Sequence, residues 1–453
     1  MPYIKNASEL VSHGSRNGRR IALEIIEHTL ASIDSYRRTT DLVRLTDDTM
    51  LRVSEKTYNL TQIESIYVLG AGKASFPIAR ALRDVLGRRI SRGAVIVKKG
   101  HGDRLREIEV LEAGHPIPDK ASVEGSKKIM EIARSASERD LVFCAITGGA
   151  SALMSLPAEG ISLKDKKIVT KLLLGSGATL YETNTVRKHI SAIKGGKLAQ
   201  YIHPARIVNL IVIDEVEGLP WGPTIPDETT FKDAICVLRK YNLWNRTPSS
   251  IKNYLSRGLG HPSLETPKQK DFEKIRLQNV ILADNRLACK AAKATAESLG
   301  YRSIILSSRL EGESREAGAV LASIAKEVEL DREPLGPPCV LVAGGETTVK
   351  ISGHWGKGGP SQEFALGASL RIAGSEKITI ASIDTDGTDG PTQIAGALVD
   401  GNTLRRAPMK GTGIFKALLN HSSSKVLTGL GDAIITGPTG TNVADLNLAV
   451  ITA

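Results

Sequence analysis

Residues 66–86, IYVLGAGKASFPIARALRDVL, set the reading of the whole chain. Residues 66–69 form a short strand that runs into the turn Gly70-Ala71-Gly72-Lys73-Ala74-Ser75 and then into a helix, PIARALRDVL. Such strand–turn–helix units build α/β folds, and backbone N–H groups at the helix start can face a phosphate. The pattern is G-x-G-x-x-S, with Ser75 where the dinucleotide fingerprint has its third glycine, and one such match is a weak signal. The next strand, 94–97, ends in Lys98 and Lys99 rather than an acid for a ribose, and no G-x-x-x-x-G-K-[ST] loop occurs. A lysine in a glycine turn is ordinarily a surface residue. At a strand's carboxyl end, however, Lys73 is a candidate to neutralise a transferring phosphoryl group.

The same junction recurs downstream. The apolar strand Leu141–Ile146 feeds Thr147-Gly148-Gly149-Ala150-Ser151, either a close-packed turn or a second phosphate cradle with a hydroxyl beside it. A strand at Ile108–Ala113 ends in Gly114-His115-Pro116-Ile117-Pro118-Asp119, where two prolines stiffen the loop and Asp119 can cap the next helix. His115 could face a ligand or be held by its neighbours. Ser162, with Asp165 three residues on, predicts a helix reaching Leu174. Residues 184–200, NTVRKHISAIKGGKLAQ, predict a basic helix that places Arg187, Ser191 and Lys194 on one face, with Lys188 and Lys197 adding charge. That charge is either a solvated face or an anion site, with Gly195-Gly196 letting a ligand approach.

A strand at 206–213 leads into Asp214-Glu215-Val216-Glu217-Gly218 and a rigid loop with Pro220, Pro223 and Pro226. A helix at 228–240 follows, and the polar, proline-bearing stretch 245–270 reads as a linker or a surface excursion. The expected domains are therefore 1–240 and 241–453, with the final strands free to pack back on the first domain. The second half alternates strands and helices again, which predicts parallel sheets in both halves. It contains Gly344-Gly345-Glu346 and the stretch 378–392, ITIASIDTDGTDGPT. There a buried strand delivers Asp384, Asp386 and Asp389 at its carboxyl end. Three carboxylates this close repel one another unless a cation intervenes. They read either as Asx-type turns or as ligands of a hard divalent cation with phosphate oxygens.

Composition sets outer limits. At 453 residues, two domains are expected, and 41% hydrophobic with 24% charged residues describes a soluble globular chain. No apolar run of about 18 residues predicts a membrane span, and the first residues do not resemble a signal peptide. Cys144, Cys236, Cys289 and Cys339 lack metal-ligand spacing and read as buried thiols of a cytoplasmic protein. The net charge of +11 is scattered, with only 4% aromatics, so small anions rather than nucleic acid are its expected partners.

Taken in order, GAGKAS, GHPIPD, TGGASAL, LPAEGISL, VRKHISAIKGGKLA, GGETTV, GKGGPSQE, DTDGTDGPT and TGPTGTNVADL resemble the class II glycerate 2-kinase family, whose carboxy-terminal half is a MOFRL-type domain. The likeness spans about residues 66–446. It implies a Rossmann-like amino-terminal domain, a smaller α/β carboxy-terminal domain and an active site in the cleft between them. It further implies ATP-dependent phosphorylation of D-glycerate to 2-phosphoglycerate with Mg²⁺ or another divalent cation, and leaves room for a homodimer. Lys73 would be the catalytic lysine, and Asp386 either a metal ligand or the group orienting the hydroxyl. Gly72, Gly148, Gly149, Ser151, Arg187, Lys188, Lys194 and Glu346 would bind nucleotide or substrate, and Asp384, Asp386 and Asp389 the metal. The chain departs from the family where arginine-asparagine commonly follows GKGG, because Pro360 and Ser361 stand there; either Lys357 or Arg187 supplies the charge or the arginine is dispensable. The acids at 214–217 are also shifted. The rival readings are an NAD(P)-dependent hydroxypyruvate reductase and a non-catalytic anion-binding protein.

Overall fold

A computed structural model describes residues 2–214, 221–351, 355–409 and 413–453. The acids at 215 and 217 and Pro220 lie outside the described residues. Contacts gather Met1–Arg38, Val212–Leu219 and Ala283–Ala453 into one compact unit and Thr39–Ile211 with Pro220–Leu282 into the other. This division differs from a single cut near residue 240. The first long helix, α1 (Arg16–Ser32), packs with the carboxy-terminal sheet instead of the sheet that follows it in the chain. Gly18 makes the approach, since a Cβ there would lie 2.3 Å from Thr379 Oγ1. Arg19, on the same buried face, donates to the Asp400 carboxylate and forms an ion pair with Asp432.

The unit of residues 39–282 is built on six parallel strands. They are β1 (Ile66–Ala71), β2 (Ile90–Lys98), β3 (Ile108–Ala113), β4 (Leu141–Ile146), β5 (Arg206–Val212) and β6 (Leu277–Ala283), in the spatial order β3-β2-β1-β4-β5-β6. All six residues of β4 are buried, as its apolar run requires of a central strand covered on both faces. Helices α2 (Ser75–Leu86) and α3 (Lys120–Ser135) follow β1 and β3, and Asp119 caps α3 in a capping box with Ser122. A short helix α4 (Ala150–Leu153), then α5 (Leu163–Leu174), α6 (Leu180–His189) and α7 (Lys197–Ile202) connect β4 to β5. Ser162 caps α5 through Asp165 N, as its sequence predicts. The stretch 245–270 is no linker: helix Ser249–Gly258 sends Ile251, Tyr254 and Leu255 into a core with Phe231, Val169 and Val186.

The other sheet contains β7 (Arg302–Leu310), β8 (Cys339–Gly345), β9 (Ile378–Asp384), β10 (Gly396–Asp400), β11 (Ala433–Ile434) and β12 (Asp445–Ile451), ordered β7-β8-β12-β9-β10-β11. The expectation of a parallel sheet here is corrected, because only β7 and β8 pair in parallel. The last strand, β12, enters between β8 and β9 and runs antiparallel to both. Helices α8 (Asn285–Ser298), α9 (Ser314–Asp331) and α10 (Pro360–Arg371) belong to this unit, and α9 and α10 cover the face bearing Leu341, Ile380 and Ala449. Three cysteines are buried, while Cys236 is exposed, contrary to the sequence reading. No helix among the described residues is long and apolar enough to cross a membrane.

Candidate active site

In the parallel sheet the chain leaves β1 toward β2 and β3 on one side and resumes at β4 on the other. A crevice opens beyond the carboxyl ends of the strands at such a reversal, and ligands bind there. The loops after β1 and β4 meet at this point. Gly72 has φ +141°, and a Cβ on it would lie 1.9 Å from Thr147 Oγ1. Lys73 N donates to the Gly148 carbonyl (2.8 Å), Ala74 N to Thr147 Oγ1 (3.1 Å) and Gly72 N to the Ile96 carbonyl (3.1 Å).

In the first glycine turn these N–H groups are engaged by Ile96, Thr147 and Gly148, and Gly72 is a close-packing glycine. The second turn differs: the Gly148 and Gly149 N–H groups meet no acceptor among the described residues. Gly149 has φ +84°, and a Cβ there would sit 3.0 Å from His115 Nε2 and 3.5 Å from Lys73 Cγ. The structure thus brings Lys73, His115 and Gly149 together from three loops. Ser151 lies next to them in sequence, on α4, half-buried.

The basic stretch is not one helix. Helix α6 ends at His189, and Gly196, with φ +81°, precedes α7. The segment between is tied to the chain after α4, where Ser191 Oγ donates to the Leu156 carbonyl (3.0 Å). Lys188 Nζ donates to Asp227 Oδ1 at 2.6 Å. Burial would raise the Asp227 carboxyl, but Lys188 and Thr229 hold it below the ordinary range. Lys188 is therefore paired with an internal acid.

Arg187 and Lys194 instead come together with a residue the sequence reading missed, Lys166. Helix α5 buries Lys166, Val169, Thr170 and Leu173, so Lys166 occupies the start of an i, i+3, i+4, i+7 core stripe. That position was its available signal: a lysine where the pattern calls for an apolar residue. Its Nζ is shielded from solvent and has no hydrogen-bond partner among the described residues. Burial, then Arg187 and Lys197, push the Lys166 amine down to about 7. Burial pushes Arg187 down to about 10, and burial with Lys166 and Arg187 holds Lys194 well below the ordinary lysine range. Lys197 is lowered to about 8 by burial, partly offset by Glu265 and Asp227, and donates to the Ser191 carbonyl (3.0 Å).

In the mixed-sheet unit, β9 ends at Asp384, opposite Asp445 of β12. Asp384 Oδ1 accepts from Asp386 N (3.0 Å), and Asp386 Oδ1 accepts from Thr388 N and Oγ1 (both 2.7 Å), which are Asx-type turns. Asp389 is turned to other work. Its carboxylate accepts from Ser361 N (3.1 Å), Gln362 N (2.9 Å) and Gln362 Nε2 (2.9 Å), capping α10 from outside the helix. Gly359 permits this, since a Cβ on it would lie 2.3 Å from the Asp389 carboxyl carbon.

Burial raises Asp389 to about 7 despite these bonds, and burial with the Asp389 charge raises Asp445 well above the carboxylate range. Among the described residues no three His, Cys, Asp or Glu side chains gather to hold a metal. Asp389 is engaged by the start of α10. Asp384 and Asp386 remain as hard oxygen donors of the kind Mg²⁺ takes singly or in pairs alongside phosphate. Glu346 is exposed just past β8 and contributes to raising Asp445. Pro360 opens α10 at a position that needs no N–H, and Lys357 is exposed.

Family profiles match two stretches of the chain, one described as Domain of unknown function (DUF4147) over residues 21–256 and the other as the MOFRL family over residues 339–445. The chain is 43% identical over 437 residues to a glycerate 2-kinase of Pyrococcus horikoshii, covering 96% of this chain and 97% of that protein. It is 38% identical over 405 residues to a D-glycerate 2-kinase of Thermotoga maritima, covering 88% and 94%. The crystal structure of a glycerate kinase from Thermotoga maritima matches with a TM-score of 0.81 at 34% identity, over 96% of this chain and 99% of that one. Likeness of this degree over nearly the whole length, in sequence and in fold, places the chain in the glycerate 2-kinase family.

Proposed function

We propose that this protein transfers the γ-phosphoryl group of ATP to the 2-hydroxyl of D-glycerate, giving 2-phosphoglycerate and ADP. The observation that carries the reading is Lys73 at the reversal point of a doubly wound sheet, beside the open N–H groups of Gly148 and Gly149, in a chain of this family. Phosphoryl transfer asks a protein mainly for positioning and for positive charge where negative charge spreads over the transferring oxygens. Lys73 would meet that need, while Gly148, Gly149 and Ser151 would donate to phosphate or carboxylate oxygens. Arg187 and Lys194 would add positive charge for the anionic ligands. Asp386 would orient the acceptor hydroxyl. With Asp384 it would also hold a divalent cation, Mg²⁺ or Mn²⁺, which when bound neutralises phosphate charge. Glu346 would serve the same ligands from the end of β8.

NMR identification of the product from D-glycerate and ATP tests the proposal, with 2-phosphoglycerate and stoichiometric ADP expected. Oxidation of NAD(P)H by hydroxypyruvate with no ADP formed would overturn it in favour of a reductase, and binding without turnover in favour of a non-catalytic protein.

A further inference from the structure

We infer that Lys166, Arg187 and Lys194 form a site built for a phosphoryl group carrying at least two negative charges, with Lys166 as one of its ligands. These residues arrive from α5, from α6 and from the segment before α7, so no single surface helix accounts for their meeting. Burying cations together is unfavourable unless an anion compensates them. The carboxylates of this region each have another partner: Asp227 Oδ1 with Lys188 (2.6 Å), Glu265 with His189 (2.8 Å) and Asp165 with Ser250 (2.7 Å). Burial depresses Lys166, Arg187 and Lys194, neighbouring cations add to it for Lys166 and Lys194, and no carboxylate offsets them.

Lys188 shows the contrast, since a lysine kept for folding has its acid partner in place. The Lys166 amine has no acceptor at all among the described residues, although its place on the α5 core stripe would suit methionine or leucine. A carboxylate monoanion would leave most of this charge uncompensated. A phosphoryl group offers three oxygens and two charges to an ammonium and a guanidinium, the pairing that charge-assisted hydrogen bonds favour. The inference rests on the kinase reading only for the source of that group, which is either the nucleotide or the phosphorylated product.

Calorimetry on the full chain tests the site with pyrophosphate, ADP, 2-phosphoglycerate and D-glycerate. Lys166→Met should weaken pyrophosphate at least tenfold, while Lys164→Met, on the exposed side of α5, should leave it unchanged. A matching loss for ADP identifies the nucleotide as the source, and a matching loss for 2-phosphoglycerate identifies the product. Unchanged pyrophosphate affinity, or an equal loss for D-glycerate, would overturn the inference. Lys166→Arg should retain binding. Wild-type crystals soaked in tungstate, a phosphate analogue, need no variant: tungsten within hydrogen-bond reach of Lys166 Nζ supports the site, and tungsten only elsewhere refutes it. Turnover that survives the loss of this binding would leave the kinase reading standing, whereas binding without turnover would do the reverse.

Discussion

The Lys73 amide donates to the Gly148 carbonyl at 2.8 Å, which ties the loop after β1 to the loop after β4. Gly72 makes that bond attainable. Gly72→Ala would place a methyl group 1.9 Å from Thr147 Oγ1 and 2.5 Å from the Thr147 carbonyl at φ +141°. A loss of about 2–4 kcal/mol is expected from strain and overpacking, read as a lower urea midpoint. An unchanged midpoint would contradict the interlocked-loop description.

Lys73→Ala separates chemistry from folding. Removing one group that stabilises transition-state charge costs about 10²–10³-fold in kcat. The side chain is half-buried, so the melting temperature should move little. Coupled ADP release and differential scanning fluorimetry measure the two effects, and retained kcat would remove Lys73 from the mechanism.

Arg187 and Lys188, adjacent in sequence, should fail in different ways. Lys188→Met leaves the buried Asp227 carboxylate unpaired and should cost about 3 kcal/mol of stability. Arg187→Met removes a half-buried cation, so it should raise KM for an anionic ligand while leaving stability nearly intact. Chemical denaturation and steady-state kinetics on both variants check the contrast.

Lys166 predicts a pH dependence of stability. Its folded value of about 7 lies below the ordinary 10.5, so between them the unfolded chain binds the proton more readily. Stability of the ligand-free protein should therefore rise from about pH 7 toward 10, with Lys194 and Lys197 acting in the same direction. Lys166→Met should flatten that rise and increase the melting temperature at pH 7. A steeper rise in the variant would refute the assignment.

Asp389 and Asp386 should also part company. Asp389→Ala strands the Ser361 and Gln362 amides at the start of α10 and should cost about 2–4 kcal/mol. Mn²⁺ affinity in the presence of ADP, followed by electron paramagnetic resonance, should fall at least tenfold in Asp386→Asn and stay unchanged in Asp389→Asn. The opposite ranking would return Asp389 to the metal.

The local units of this fold are legible in the chain because they depend on residues a few positions apart. The strand–turn–helix joint at 66–86, the buried strand ending at Ile146 and the caps at Asp119 and Ser162 follow from hydrophobic runs, glycines and side chains that reach only three residues. Lys73 stands out by the same local logic. Only the folded molecule could decide that β12 inserts antiparallel between β8 and β9, or that α1 joins the unit 250 residues further along the chain, since both rest on pairings between distant segments. The same holds for charge. Lys188 finds Asp227, Lys166 finds no acid, and Asp389 finds the start of a helix. A side chain's charge is written in its own residue, but whether that charge is paired, buried or left for a ligand depends on which remote groups the fold brings beside it.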